Sequence, residues 1–116
     1  MIIDKRQMKA FSSEAANRFE SRQIAHLRAR FPQQTAGAAD AQIRQFVREG
    51  RARAEKRGVD AEDDIERFLE FRVIHGLEYD ERCDWANRIF TIDGVSGTKK
   101  MDWIDDHDQF VLNRPL

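Results

Sequence analysis

Apolar residues recur along this chain at helical spacing. Over residues 4–31, Met8, Phe11, Ala15, Phe19, Ile24, Leu27 and Phe31 follow one another at steps of three to five, close to the 3.6-residue period of an amphipathic helix. Asp4 stands where a first helix needs a cap, because a short acidic side chain accepts from the free N–H groups of a first turn. Pro32 closes that helix, since proline disfavours helical backbone in the residue before it. At 1.5 Å per residue the helix is roughly 40 Å long, against a radius of gyration of about 13 Å for a compact domain of this size. It is expected to bend or overhang, and the step of five from Phe19 to Ile24 puts the bend near Ser21.

Residues 32–39 read as a loop. Asp40 then caps a second helix with Ile43, Phe46, Val47 and Ala54 inward, Arg44, Arg48 and Arg51 on another face, and Gly58 as its C-terminal cap. Asp60 begins a third helix whose first turn holds Glu62, Asp63 and Asp64, where negative charge meets the positive end of the helix dipole. Ile65, Phe68, Leu69, Phe71, Val73 and Ile74 follow, and Gly76 ends it. Residues 77–84 read as a polar turn, and Trp85, Ile89 and Ile92 as a short fourth helix stopped at Gly94. Gly97 or Thr98 starts a last helix, with Met101, Ile104 and Leu112 on one side and Trp103, His107 and Phe110 on the neighbouring side. The expected fold is therefore all-α: a single domain over residues 1–116, a bundle of four to five helices with a long N-terminal one, and a C-terminal helix and tail over residues 93–116. Phe19, Phe46, Phe68 and Leu69 are its expected core.

Composition agrees with this picture. A chain of 116 residues buries roughly two thirds of the surface its unfolded form exposes. Its 41% hydrophobic and 35% charged residues describe a folded domain with a strongly ionic surface. The first residues form no signal-peptide core and no run approaches the roughly 20 apolar residues of a membrane span. Cys83 is the only cysteine, which excludes an internal disulfide and fits a reducing compartment. The expected location is the cytoplasm, with no membrane partner. The net charge of -1 conceals two opposed halves: residues 1–59 hold 13 Lys+Arg against 6 Asp+Glu, and residues 60–116 hold 7 against 15.

Little in the residues points to catalysis. Asp102, Asp105, Asp106, His107 and Asp108 form the densest polar cluster, but a metal site needs such ligands to converge with supporting partners, and a solvated acidic face is the simpler reading. His26, His75 and His107 are scattered, and no nucleophile elbow, zinc-protease, dinucleotide or phosphate-loop pattern occurs. No catalytic, cofactor-binding or metal-ligating residue is assigned. Arg44, Arg48, Arg51, Arg53 and Arg57 make the second helix basic, and basic helices can neutralise phosphates. The acidic overall balance and the lack of a base-stacking platform instead favour pairing of those arginines with the acidic third helix.

Residues 22–32, Arg22-Gln23-Ile24-Ala25-His26-Leu27-Arg28-Ala29-Arg30-Phe31-Pro32, resemble the "His-Leu-Arg...Phe-Pro" close of the first helix in small helical accessory proteins encoded in bacterial type VI secretion clusters. Gly50-Arg51-Ala52-Arg53-Ala54, then Arg57-Gly58-Val59, Glu62-Asp63-Asp64-Ile65 and Phe68, resemble that family's "Gly-Ile-x-Arg-Ala...Tyr-Gly-Ile...Glu-x-Asp-Val" core. Gly76-Leu77-Glu78-Tyr79-Asp80 and Trp85-Ala86 are similar to its "Gly-x-x-Phe-Asp...Trp-Ala" segment. The resemblance covers most of residues 1–92 and leaves out the tail from Asp93; Arg51 and Arg57 depart from the pattern, standing where an apolar residue and an aromatic are usual. It implies an accessory, co-chaperone-like role in which the protein binds an effector, its adaptor chaperone or a spike protein.

Such a role needs an exposed apolar patch rimmed by charge. The last helix carries more apolar surface than one packing side requires, so Trp103, His107 and Phe110 are the expected partner-binding residues. Asp102 and Asp106, together with Asp105 and Asp108, form the expected rim. Two other functions remain open at this point: an immunity protein that neutralises an adjacent toxin, and a nucleic-acid-binding regulator.

Overall fold

The structure, a computed structural model, describes residues 5–112, with side chains from Ser13 onward. The cap expected at Asp4 and the side chains of Met8 and Phe11 lie outside the described residues. Among the described residues seven α-helices run in chain order, α1 Lys5–Arg30, α2 Pro32–Thr35, α3 Asp40–Lys56, α4 Glu62–His75, α5 Tyr79–Arg82, α6 Asp84–Phe90 and α7 Gly97–Asp106, followed by a π-helical turn, His107–Val111. No strand occurs among the described residues, and none of their helices is long and apolar enough to cross a membrane. The all-helical expectation holds, with more and shorter helices than the four or five expected. The chain divides into two units, one ending at Arg48 and one beginning at Glu49.

In the first unit α1 is helical without interruption through Ser21 to Arg30. It stops where Pro32 demands: Phe31 has φ -128° and ψ 64°, outside the helical region. The following loop contains the short helix α2, and one side chain organises it. Arg28 donates to the carbonyls of Thr35 (3.1 Å) and Ala38 (2.8 Å) and pairs with Asp40 at 2.6 Å. Asp40 is thus the first residue of α3 and an ion-pair partner, not a cap. Gln42 performs the capping task, its Oε1 accepting from the N–H of Ala39 at 2.8 Å. Glu20, almost fully buried, accepts from Arg44 and Arg48, each at 3.0 Å. Among its residues with described side chains, Phe19, Ile24, Leu27, Phe31, Ile43 and Val47 are the buried apolar ones. Phe46, expected among them, is only half-buried, and Ala15 is exposed.

The second unit opens with a tight stop to α3. Val59 N–H bonds to the Ala54 carbonyl and Gly58 N–H to the Glu55 carbonyl, both near 3 Å, with Gly58 at φ +80°. This pair of bonds is a Schellman cap, which requires a left-handed residue and suits glycine. Val59 and Ala54, the apolar pair that accompanies it, are both fully buried. α4 presents Ile65, Phe68, Leu69 and Phe71 as buried apolar residues, while Val73 and Ile74 are half-buried. Its capping position is Ala61, not Asp60, with no side-chain bond. Phe68 meets Tyr79 (ring centroids 5.2 Å apart) and Phe90 (5.6 Å) at tilted and edge-on angles that aromatic quadrupoles favour.

Residues 77–84 correct the expected polar turn. They contain α5, which begins with Tyr79 and Asp80, both essentially inaccessible. Burial pushes the Tyr79 phenol well above its ordinary 10.0, so it stays protonated and donates to the Phe68 carbonyl at 3.3 Å. Asp80 accepts from Arg53 at 2.7 Å and from Arg57 at 2.9 Å. The arginines of the second expected helix thus pair with Glu20 (Arg44 and Arg48), with Asp80 (Arg53 and Arg57), with Glu81 (Arg53) and with Glu55 (Arg51). Glu20 and Asp80, both buried, each collect two of these guanidinium groups.

Two buried carboxylates set an acid limit on the fold. The hydrogen bond from Arg48, opposed by burial and reinforced by Arg44, holds Glu20 below its ordinary 4.5. Burial raises Asp64, but the Thr98 hydroxyl and Arg67 outweigh it and hold that carboxyl below 3.8. A depressed folded-state pKa stabilises the fold above the unfolded value and loses that contribution as pH falls through the folded value. Urea midpoints measured from pH 7 downward are thus expected to start falling below 4.5 and to drop further below 3.8. Glu20→Gln and Asp64→Asn should each flatten this acid limb and lower the midpoint at pH 7; an unchanged limb in both would show that neither ion pair matters.

Candidate protein-interaction surface

The C-terminal helix is placed by contacts at each end. At its start, Ser96 is the N-cap and accepts from the Lys99 N–H at 3.1 Å, so the cap lies one residue before the expected start at Gly97 or Thr98. Lys100, largely buried, donates to the Arg57 carbonyl at 3.0 Å and so satisfies an orphan acceptor at the end of α3. Thr98 donates to Asp64. Met101 and Ile104 face inward and are fully buried.

Arg67 of α4 fastens the middle of α7. Its guanidinium contacts Asp64 at 2.8 Å and Asp102 and Asp105 at 3.0 Å each. Burial opposes its charge, but Asp64, Asp105 and Asp102 together outweigh that cost and raise its pKa further. The expected solvated acidic face is thus only partly free: Asp102 and Asp105 share one arginine with Asp64, while Asp106 is exposed.

The end of α7 corrects a second expectation. Asp108, placed in the charged rim by the sequence, has no solvent exposure at all, and its Oδ1 lies 2.7 Å from His75 Nε2 on α4. Around this pair the rings stack. His107 lies flat on Trp85, centroids 4.4 Å apart and planes 9° from parallel, and Trp85 meets His75 edge-on at 5.3 Å. His107 and the half-buried Trp85 therefore belong to the attachment of the helix as much as to its surface. His75, Trp85 and Arg67 were absent from the expected site because their partners lie about 20 to 40 residues away. One signal was available: Met101, Ile104 and Asp108 occupy steps of three and four, so a charged residue continues an inward stripe and needs a buried partner.

The outward side keeps the remaining expected residues. Trp103 is half-buried, Asp102 and Asp106 are exposed, and Phe110 is 76% exposed. Trp103 lines an open groove of about 420 Å³ with Lys99, Asp102, Asp105, Asp106 and Gln109, and Lys99 Nζ stands 5.9 Å from the centre of its ring. Leu112, expected to face inward with Met101 and Ile104, is instead 41% exposed, and Val111 is 66% exposed. The surface thus unites Trp103, Phe110, Asp102 and Asp106, adds Val111 and Leu112, and turns His107 toward Trp85. In comparisons with known proteins, no family model, curated protein or solved structure matches this chain.

Proposed function

We propose that this chain is a non-catalytic accessory protein, a cytoplasmic co-chaperone-like adaptor that binds a type VI secretion effector or its adaptor chaperone and assists loading. The observation that carries a binding role is the run Phe110, Val111 and Leu112, exposed by 76%, 66% and 41% at the end of a helix whose start and middle are firmly attached. Three consecutive exposed apolar side chains beside a half-buried tryptophan have the composition of an interface centre, and exposed carboxylates supply its rim. The titratable groups gathered at this helix hold it in place through Arg67 and the His75–Asp108 pair, a structural employment that supports a non-catalytic reading. The resemblance of residues 22–32 and 50–86 to type VI accessory proteins supplies the choice of partner.

Co-expression with the chaperone, spike and effector genes encoded beside this chain, followed by affinity purification, tests the reading. Recovery of a defined complex with one of them, and loss of effector secretion on deletion, are the expected results. Trp103→Ala is expected to weaken that complex by at least about 2 kcal/mol, as interface tryptophans do, with a melting curve close to wild type. Rescue of cells from a neighbouring toxin with unchanged secretion would overturn the loading role in favour of an immunity protein. A Trp103→Ala protein that binds normally would place the interface elsewhere.

A further inference from the structure

Resting on the binding role just proposed for α7, we infer that the occupant of this face is a basic amphipathic segment of the partner, and that Lys99 holds the place of its cation in the free protein. The apolar half of the argument comes from the π-helical turn. Met101, Ile104 and Asp108 are the inward residues, so an unbroken α-helix would bring residue 111 or 112 inward next. The backbone instead closes a wider turn, Leu112 N–H bonding to the His107 carbonyl at 3.0 Å, a five-residue step in place of four. The inward stripe ends at Asp108, and Phe110, Val111 and Leu112 are left outside.

The polar half comes from charge. Lys99, Trp103, Asp106 and Phe110 follow one another at steps of four, three and four, which sets them along one side of the helix. Four carboxylates, Asp64, Asp102, Asp105 and Asp106, stand against Arg67 and Lys99, so the groove has an excess of negative charge. Asp106 is exposed and has no intramolecular partner among the described residues. The Trp103 ring already carries an ammonium 5.9 Å from its centre, near the outer limit for a cation on an aromatic face. An arginine from a partner, flatter and more weakly hydrated than lysine, stacks better on the same ring and reaches Asp102 or Asp106 with two donors. A segment with apolar residues on one side and arginine on the adjoining side thus matches the face in both respects, whereas a nucleic-acid backbone meets repulsion there.

The test titrates the full chain with a fluorescent synthetic helical peptide bearing leucine at i, i+3 and i+7 and arginine along one flank, against the same peptide with glutamate for arginine. Saturable binding of the arginine peptide, at least about tenfold tighter than the glutamate peptide and weakened by salt, is expected. Asp102→Asn with Asp106→Asn should cost about tenfold or more, and Phe110→Ser a similar factor, whereas Lys99→Ala should tighten binding by about threefold. Melting curves of each variant check that the fold persists. Equal affinity for the two peptides, no binding, a Lys99→Ala protein that binds no better, or sedimentation showing that a second copy of the chain covers the face would overturn the inference. Capture of a secretion partner that depends on Phe110 but ignores Asp102, Asp106 and Lys99 overturns it while the adaptor reading stands. Peptide binding with these sensitivities, without capture of any chaperone, spike protein or effector, sinks the adaptor reading alone.

Discussion

Phe68→Ala is expected to lower the unfolding free energy by about 3–5 kcal/mol, the range for truncating a fully enclosed phenylalanine. Phe68 has no solvent exposure, and its ring is flanked by Tyr79 and Phe90 at 5.2 and 5.6 Å. Its carbonyl also accepts the Tyr79 hydroxyl, so a shift of the α4 backbone into the vacated space would loosen a second buried group. Collapse of the cavity is thereby resisted, which puts the cost toward the upper end of the range. Phe46→Ala is the matched comparison: the same truncation at a half-buried ring should cost less than about half as much, because less apolar area returns to water. Chemical denaturation of both variants checks this. Similar midpoints for the two would mean that burial does not order their contributions, and the assignment of the α4 face would fail.

The contrast between these phenylalanines shows what was legible in the sequence. Helix ends were read from single residues at Pro32, Gly58 and Gly76, which fall at or beside helix boundaries, the two glycines at positive φ. Gly94, also at positive φ, was a poorer guide, because α6 already ends at Phe90 and leaves Ile92 outside it. Inward stripes were legible where only one phase fits, as for Phe68 and Leu69 or Met101 and Ile104. On α3 two phases compete. Ile43, Val47, Gly50 and Ala54 form one stripe at steps of four, three and four, and all four are buried. Phe46 is larger than Val47, but it lies one position off that stripe. What selects the phase is Gly50, whose missing side chain lets Leu69 and Arg72 come close. A glycine inside a helix reads as a weak point in sequence and gives no sign that another helix needs the space.

The candidate surface was legible by the same logic, and less completely. Trp103 and Phe110 stood out as apolar residues in excess of one packing side. The fates of His107, Asp108 and Leu112 depend on the π-helical turn and on His75 and Trp85 of other helices, and no local pattern announces a turn of that kind. Asp80 shows the same limit. Its neighbours in sequence are polar, so residues 77–84 read as a turn, yet Arg53 and Arg57 make its burial tolerable from 27 and 23 positions away. A buried carboxylate held by two guanidinium groups is set by tertiary structure alone.

Gly97→Val carries the second large effect, an expected loss of about 3 kcal/mol, the upper part of the range for overpacking. A Cβ at Gly97 would lie well inside contact distance of the Gly58 carbonyl oxygen and 2.8 Å from Val59 Cα. These are backbone atoms of the Schellman cap on α3, with Gly58 already at φ +80°, so they have no rotamer by which to retreat. α7 itself must move away, which stretches the bond from Lys100 to the Arg57 carbonyl and the one from Thr98 to Asp64. Gly50 offers an instructive comparison, because there the opposing groups are the ends of the Leu69 and Arg72 side chains, which can swing aside at lower cost. Gly37 is the control. Nothing lies within 4 Å of a Cβ there and its φ is not positive, so Gly37→Ala should be neutral or stabilising by up to about 1 kcal/mol through the unfolded chain. Thermal and urea unfolding rank the three, with Gly97→Val lowest, Gly50→Ala between, and Gly37→Ala at or above wild type. Because Trp103 and Phe110 ride on the same helix, the Gly97→Val protein should also bind a partner more weakly at temperatures where it remains folded. A Gly97→Val protein as stable as wild type would mean that α7 is not seated against the end of α3, and the attachment that presents its outer face would have to be sought elsewhere.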